Sequence, residues 1–323
     1  RQLPLKLTRK DSRCGSKFPL PLSGFGYRTP AQCDASGIKP CCNDFTGRCG
    51  NTTSHCKCPR CVDYRTVLSA ELCDWETSSG CTMKNFTSVE ACQLMNDGVS
   101  NLILIGDSLM RHFHNAFMIL FTNNPHGGAL RKDLTDKQHE ACSGEMQFVD
   151  GGKTVCHGKI AKQIKDVKKS SFCGGNFRFY YSFNESFSIG EAKSALAAVE
   201  SVLNKQNSIV LIGVGLHDNL NFQRLKIHYI EPILMLVENN ARSGWPKIVW
   251  VTVHAHGNLK PTAFLKSQSS DKILAFNRRM KAYLEPRGVD VFDVFHLTLG
   301  LHSYDGTHYG ASVNMMKAQL FLN

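Results

Sequence analysis

Residues Asn101–Phe121 read NLILIGDSLMRHFHNAFMILF, and this stretch decides the fold. Leu102, Ile103, Leu104 and Ile105 form an uninterrupted apolar run, the mark of a strand buried on both faces. Gly106-Asp107-Ser108 breaks the run. Leu109, Phe113, Phe117 and Leu120 then recur at helical spacing through Phe121. A serine at such a strand-to-helix turn lies at the carboxyl end of a strand, beside the free N–H groups and positive dipole end of a helix. Acyl-transfer nucleophiles are presented in this way. A serine that merely caps the helix is the plainer alternative, and the tripeptide alone does not separate the two.

The other half of such a site stands at the far end of the chain. Asp305-Gly306-Thr307-His308 follows an apolar run, Val289–Phe295, and precedes a helical stretch, Ala311–Leu322. An Asp and a His three residues apart share one side of a turn. The carboxylate can then fix the imidazole tautomer while the other ring nitrogen faces a serine.

Between these ends the pattern alternates regularly. Strands are expected at Phe177–Phe183, Ser208–Gly215, Lys247–His254 and Val289–Phe295, in addition to the first at 102–105. Helices are expected at Ser88–Asn96 with Ser88 as cap, Leu109–Phe121, Glu191–Gln206, Leu225–Ala241, Asp271–Leu284 and Ala311–Leu322. Five strands alternating with helices predict an α/β protein with a mostly parallel sheet between two helical layers. Ligands bind such sheets outside the carboxyl ends of the strands. Ser108, Gly215–His217, His254–His256 and Asp305–His308 all fall at those ends. The long polar, Gly-rich stretch Asn123–Phe172 reads as a lid or insertion pinned by cysteines.

The 323 residues carry a net charge of +11, scattered apart from a patch at Lys159–Lys169. A basic surface suits acidic glycans, membrane surfaces or nucleic acid. No aromatic-interleaved basic stripe accompanies it, so nucleic acid is not expected. The 14 cysteines crowd toward the start: eleven lie between Cys14 and Cys92, followed by Cys142, Cys156 and Cys173. Cys56-x-Cys58-x-x-Cys61 has zinc-like spacing. The sequons at Asn51, Asn85 and Asn184 favour disulfides in the secretory pathway, Golgi lumen or extracellular space. No run is apolar enough to cross a bilayer, and membrane anchoring is expected only through a segment upstream of Arg1. Two units are expected: a disulfide-rich module with a basic arm over residues 1–61, and a catalytic domain over 62–323.

Cys33-(x7)-Cys41-Cys42-(x6)-Cys49-Gly50-(x5)-Cys56 resembles the hevein-like chitin-binding pattern, with one residue more after the cysteine pair. Phe45, with Arg48 and His55 nearby, stands where such modules carry sugar-stacking residues. Residues 101–323 resemble the SGNH (GDSL-like) hydrolase superfamily, which implies a flavodoxin-like three-layer α/β/α fold. Gly106-Asp107-Ser108-Leu109-Met110-Arg111 resembles the Gly-Asp-Ser-x-x-Arg block of its PC-esterase branch. Asp305-Gly306-Thr307-His308 is similar to that branch's Asp-Gly-x-His ending, and Val313–Asn323 to the neurexophilin-type tail. That branch includes polysaccharide and sialic-acid O-acetyltransferases.

The resemblance implies Ser108 as nucleophile, His308 as base and Asp305 as its orienting partner. It places Gly190 in the second block, with Gly174 and Gly175 as alternatives, to complete an oxyanion site with the Ser108 N–H. In the third block Gly215-Leu216-His217-Asp218 puts His217 where many relatives carry Asn. Arg111 is expected to add positive charge to the site, or else to form a salt bridge on the helix face. His254 and His256 are expected to contact the sugar, and a metal shared with His217 is the weaker reading. Asp107 is read as structural in the turn, and His112, His114, Asp293 and His302 as packing or surface residues.

The expected activity is acyl transfer to a glycan hydroxyl, with no bound cofactor and with acetyl-CoA or an acyl ester as co-substrate. An O-acetylesterase using the same residues and a non-catalytic glycan-binding protein are the alternatives. A lipid or peptide hydrolase is disfavoured because Gly-x-Ser-x-Gly is absent.

Overall fold

The computed structural model describes residues 41–43, 48–50, 82–149, 156–176, 180–184, 192–257, 260, 262–301, 303 and 305–323. Most of the expected N-terminal module, including Asn51, lies outside the described residues. Of it, Cys41–Asn43 (β1) pairs antiparallel with Arg48–Gly50 (β2), setting Cys42 opposite Cys49.

The remaining strands form one parallel sheet. They are Asn101–Gly106 (β3), Tyr180–Asn184 (β4), Ser208–Gly213 (β5), Lys247–Val251 (β6) and Asp290–Phe292 (β7), arranged β4-β3-β5-β6-β7. Counted along the chain this is the flavodoxin-like order 2-1-3-4-5, whose switch point falls between β3 and β5. The apolar run of β3 divides between two cores because successive side chains alternate faces. Leu102 and Leu104 point into one, with Phe113, Phe117, Phe148 and Phe172. Ile103 and Ile105 point into the other, with Val210, Ile212, Tyr229 and Trp250.

The first face is covered by helices Ser88–Gly98 (α1) and Ser108–Thr122 (α2), by the segment around the short helix Asp136–Ala141 (α3), and by the C-terminal helix. The second is covered by Ala192–Glu200 (α4), by Phe222–Leu225 (α5) continuing through a π-helical turn at Lys226–Ile230 into Glu231–Asn240 (α6), and by Ser270–Leu284, which is α8 once Thr262–Gln268 is counted as α7. Phe295–Thr298 (α9) and Ala311–Leu322 (α10) complete the order. Rings of Phe113 and Phe117 meet Phe321 edge-on, at 6.3 and 5.6 Å, and lock α10 onto α2.

Several sequence expectations need correction. The stretch after α2 is no lid: Phe148, Val149, Ile160, Ile164 and Phe172 are buried in the first core beneath it. Its polar composition hid this, because its apolar residues come at no regular period. Disulfides Cys142–Cys156 and Cys92–Cys173 do pin it. Helix α1 is capped by Thr87, not Ser88, through a reciprocal box with Glu90. Helix α7 was not foreseen, β7 is only three residues long, and the strands β5 and β6 end two and three residues earlier than their apolar runs. The runs continue inward-facing as loop, which is why Val214 and Val253 are buried outside the sheet. No helix among the described residues is long and apolar enough to cross a membrane.

Candidate active site

Close approach, rather than an unusual backbone angle, explains the glycine that opens the turn after β3. A Cβ on Gly106 would lie 2.2 Å from the carbonyl oxygen of Gly213 and 2.3 Å from Met110 Cγ. Gly106 and Gly213 are register partners on β3 and β5. Met110 therefore rests on two bare backbones, and α2 begins directly over the switch point. Asp107 caps that helix, its Oδ1 accepting from Leu109 N at 2.9 Å. The cap is Asp107, so Ser108 is left half-exposed as the first helical residue, with a hydroxyl not used for capping. Burial pushes the Asp107 carboxyl up, against the Leu109 N–H and the charges of His217, His308 and Arg111.

The Asp305 turn meets this serine. Ser108 Oγ lies 2.7 Å from His308 Nε2, and His308 Nδ1 lies 2.6 Å from Asp305 Oδ2. An ionised carboxylate only accepts hydrogen bonds, so Nδ1 carries the proton and Nε2 accepts from the serine hydroxyl. Asp305 Oδ1 accepts from the backbone N–H groups of Thr307 at 2.8 Å and His308 at 2.6 Å. Burial would push Asp305 up. The His308 charge, its ring N–H and these two backbone donors outweigh that and hold the carboxyl below its ordinary value.

Arg111 is buried one turn along α2, and its charge acts on Asp107. His217 stands exposed on the loop after β5, where Gly215 adopts φ +150°, and its charge also reaches Asp107. His256 is half-buried, with Nδ1 3.0 Å from the carbonyl oxygen of Gly257. His254 corrects the expectation of sugar contact. Only 5% exposed, it packs edge-on against Tyr309 behind the turn, and burial, joined by the charges of Lys317, His308 and His112, keeps its ring neutral. Gly190 and His302 lie outside the described residues. Gly174 and Gly175 sit on the 3₁₀ segment that ends beside Cys173, on the face of α1. Asn85 is exposed. Asp293 pairs with His296 at 2.5 Å, away from the serine. Among the described residues no group of three or more His, Cys, Asp or Glu is arranged to hold a metal.

Three residues beside the site, Lys260, Tyr309 and Asn314, were given no role by the sequence, and His112 was read only as a packing or surface residue. His112 lies buried one turn after Ser108, its ring centroid 5.1 Å from that of His308. Lys260 Nζ donates to Thr307 Oγ1 at 2.7 Å, beside the catalytic-type turn. Burial pulls its ammonium down, opposed by Asp305 and Asp107. Tyr309 donates its hydroxyl to the carbonyl oxygens of Ala255 and Thr298, at 3.0 and 3.3 Å. Asn314 donates to the carbonyl oxygens of Tyr309 and Gly310, both at 2.8 Å. Only the helical spacing of His112 from Ser108 could have flagged any of them.

No protein-family model matches the chain, and no curated protein matches it in sequence. Solved structures do. A carbohydrate acetylesterase from Sinorhizobium meliloti is 12% identical, with 69% of this chain and 96% of that one covered and a TM-score of 0.37. An aryl esterase from M. smegmatis is 14% identical, covering 69% and 97%, with a TM-score of 0.38. An acetyl xylan esterase from Geobacillus stearothermophilus is 12% identical, covering 70% and 95%, with a TM-score of 0.36.

Proposed function

We propose that the protein is a serine-dependent acyltransferase of the SGNH type that places an acyl group, most simply acetyl, on a glycan hydroxyl. The observation that carries this reading is the hydrogen-bonded chain Ser108–His308–Asp305, set at the switch point of a parallel sheet. Similarity of the Gly-Asp-Ser-x-x-Arg and Asp-Gly-x-His blocks to the PC-esterase branch supports the choice of glycan and of transfer.

Ser108 Oγ attacks the carbonyl carbon of an acyl donor, an acyl ester or acyl-CoA thioester, as His308 Nε2 takes its proton. Asp305 stabilises the imidazolium. The Ser108 N–H has no acceptor within its own helix and faces the developing oxyanion, with Arg111 adding positive charge and the His217 ring nearby. Collapse expels the donor's alcohol or thiol, which takes the proton from His308, and leaves acyl-Ser108. An acceptor sugar hydroxyl then gives its proton to His308 and attacks the acyl carbon, and as the acyl–oxygen bond breaks Ser108 Oγ leaves with that proton from His308, which restores the free serine and the neutral base. With water as acceptor the same cycle is an O-acetylesterase. The disulfides and the exposed sequon Asn85 support a secretory or extracellular setting, and the net charge of +11 favours an acidic glycan.

The test is turnover of an aryl acetate by the purified glycoprotein, with and without oligosaccharide acceptors, beside Ser108→Ala and His308→Ala. Turnover lost in both variants supports the serine mechanism, and acetylated acceptor in excess over free acetate supports transfer. No turnover, and no labelling of Ser108 by a serine-directed phosphonate, overturns the reading in favour of a glycan-binding protein.

A further inference from the structure

The last helix carries a lysine into the interior behind the Ser108–His308 pair. Lys317 is 0% exposed, yet it lies on α10 among Phe, Leu and Val side chains. Taking an ammonium out of water is expensive unless acceptors are arranged for it. Here the Nζ donates to Asn314 Oδ1 at 2.6 Å. The amide end of the same Asn314 donates to the carbonyl oxygens of Tyr309 and Gly310, the two residues that follow His308. On its other side Lys317 borders a cavity of about 10 Å³ shared with Asp107, Met110, Phe113 and His254. Asp107 caps the nucleophile helix, and the His254 ring feels the charges of both Lys317 and His308. One buried lysine thus lies between the two halves of the site, lining a cavity with the cap of α2 and tied through Asn314 to the backbone after His308.

We infer that Lys317 is a positioning residue for the proposed acyl transfer: through Asn314 it fixes the backbone after His308, and its charge disfavours a proton on that imidazole, keeping Nε2 free to act as base. The inference rests on the acyl-transfer reading above. Other charged and titratable groups face His308 from every side. Asp305 on its own turn and Asp107 at the cap favour its protonated form. Among the described residues the others are Arg111 and His112 on α2, Glu145, which accepts from Ala311 N at the start of α10, His217 after β5, and His254 and Lys260 after β6. Lys317 is the cation among them that also holds the backbone of the turn.

The experiment measures kcat and KM for an aryl acetate across pH with the full chain and with Lys317→Met, Lys317→Arg and Asn314→Ser. Losing the buried charge in Lys317→Met is expected to move the acid limb of kcat/KM to higher pH by about half a unit or more. Its kcat should fall about tenfold with KM little changed, the pattern of lost positioning rather than lost binding. Lys317→Arg, which keeps the charge, should return the limb toward its wild-type place. Asn314→Ser, which cuts the tie to Tyr309 and Gly310 but keeps the lysine, should lower kcat without moving the limb. A folded Lys317→Met with wild-type limb and kcat overturns the inference. Should Lys317→Met fail to fold, a wild-type kcat in Asn314→Ser overturns it instead. Wild-type turnover that survives Ser108→Ala refutes the acyl-transfer reading itself, a different failure that takes this inference with it.

Discussion

His114 makes the protein less stable in acid, and by a predictable amount. It lies mid-way along α2 at 0% exposure, and burial pulls its imidazole from the ordinary value of 6.5 to about 3. The neighbouring Asn115 side chain opposes the shift, and the charges of Lys162 and Arg111 add to it. Between those two pH values the unfolded chain binds a proton at this position and the folded chain does not. Stability therefore rises with pH through the window and is lost as pH falls below 6.5. From about pH 7 to about pH 5 the unfolded imidazole goes from mostly neutral to almost fully protonated, which costs the fold about 2 kcal/mol. His254, lowered by the same burial, adds in the same direction. The assay is urea unfolding of wild type and His114→Gln at both pH values. The variant differs in stability at either pH for packing reasons, but the pH-dependence isolates the titration, since all other groups cancel in the difference. His114→Gln should lose about 2 kcal/mol less than wild type on acidification. Equal losses would show that folded His114 takes up its proton, and would refute the burial argument.

Three further outcomes follow from the geometry. Asp305→Asn should keep the fold but lower ester turnover by about 10⁴-fold, since an amide can stabilise the wrong tautomer of His308, and steady-state kinetics with a circular-dichroism control checks this. Gly106→Ala forces a methyl group against the Gly213 carbonyl and Met110; thermal unfolding should show a loss of about 1–3 kcal/mol, with turnover falling as the start of α2 shifts. Replacing both Cys92 and Cys173 by Ala opens a link spanning 81 residues, and denaturant unfolding should register a loss of about 4.5 kcal/mol on the chain-entropy account.

The sheet and its helices were legible wherever a side-chain period met a long apolar run. Leu102–Ile105 could only be a doubly buried strand, and Phe113 and Phe117 could only face a core. The pairing of Ser108 with His308 was legible because each stands at the end of such a run. Of the reading of Asn123–Phe172 as a lid or an insertion pinned by cysteines, the lid alternative failed because the burial of its described part comes from scattered single residues, such as Phe148 and Ile164, held by 3₁₀ turns and a disulfide rather than by any repeat. Lys317 and Asn314 stayed hidden for another reason. In a helix of mixed composition a lysine reads as solvent-facing, and only the docking of α10 against α2 reveals that its side chain points inward. The sequence position of His254 was informative but its direction was not, because the run Lys247–His254 outlasts the strand and turns inward.

Ser108 and His308 stand 200 residues apart, one beside the first strand of the large sheet and the other just before the final helix. A chain emerging from synthesis therefore exposes its serine long before it owns a base. On the proposed mechanism, Ser108 is an ordinary alcohol until His308 reaches it, unable to acquire an acyl group from metabolites it meets on the way. Chemical competence then reports completion of the whole domain, and an adduct on Ser108 would identify, molecule by molecule, the fraction of a preparation that had finished folding.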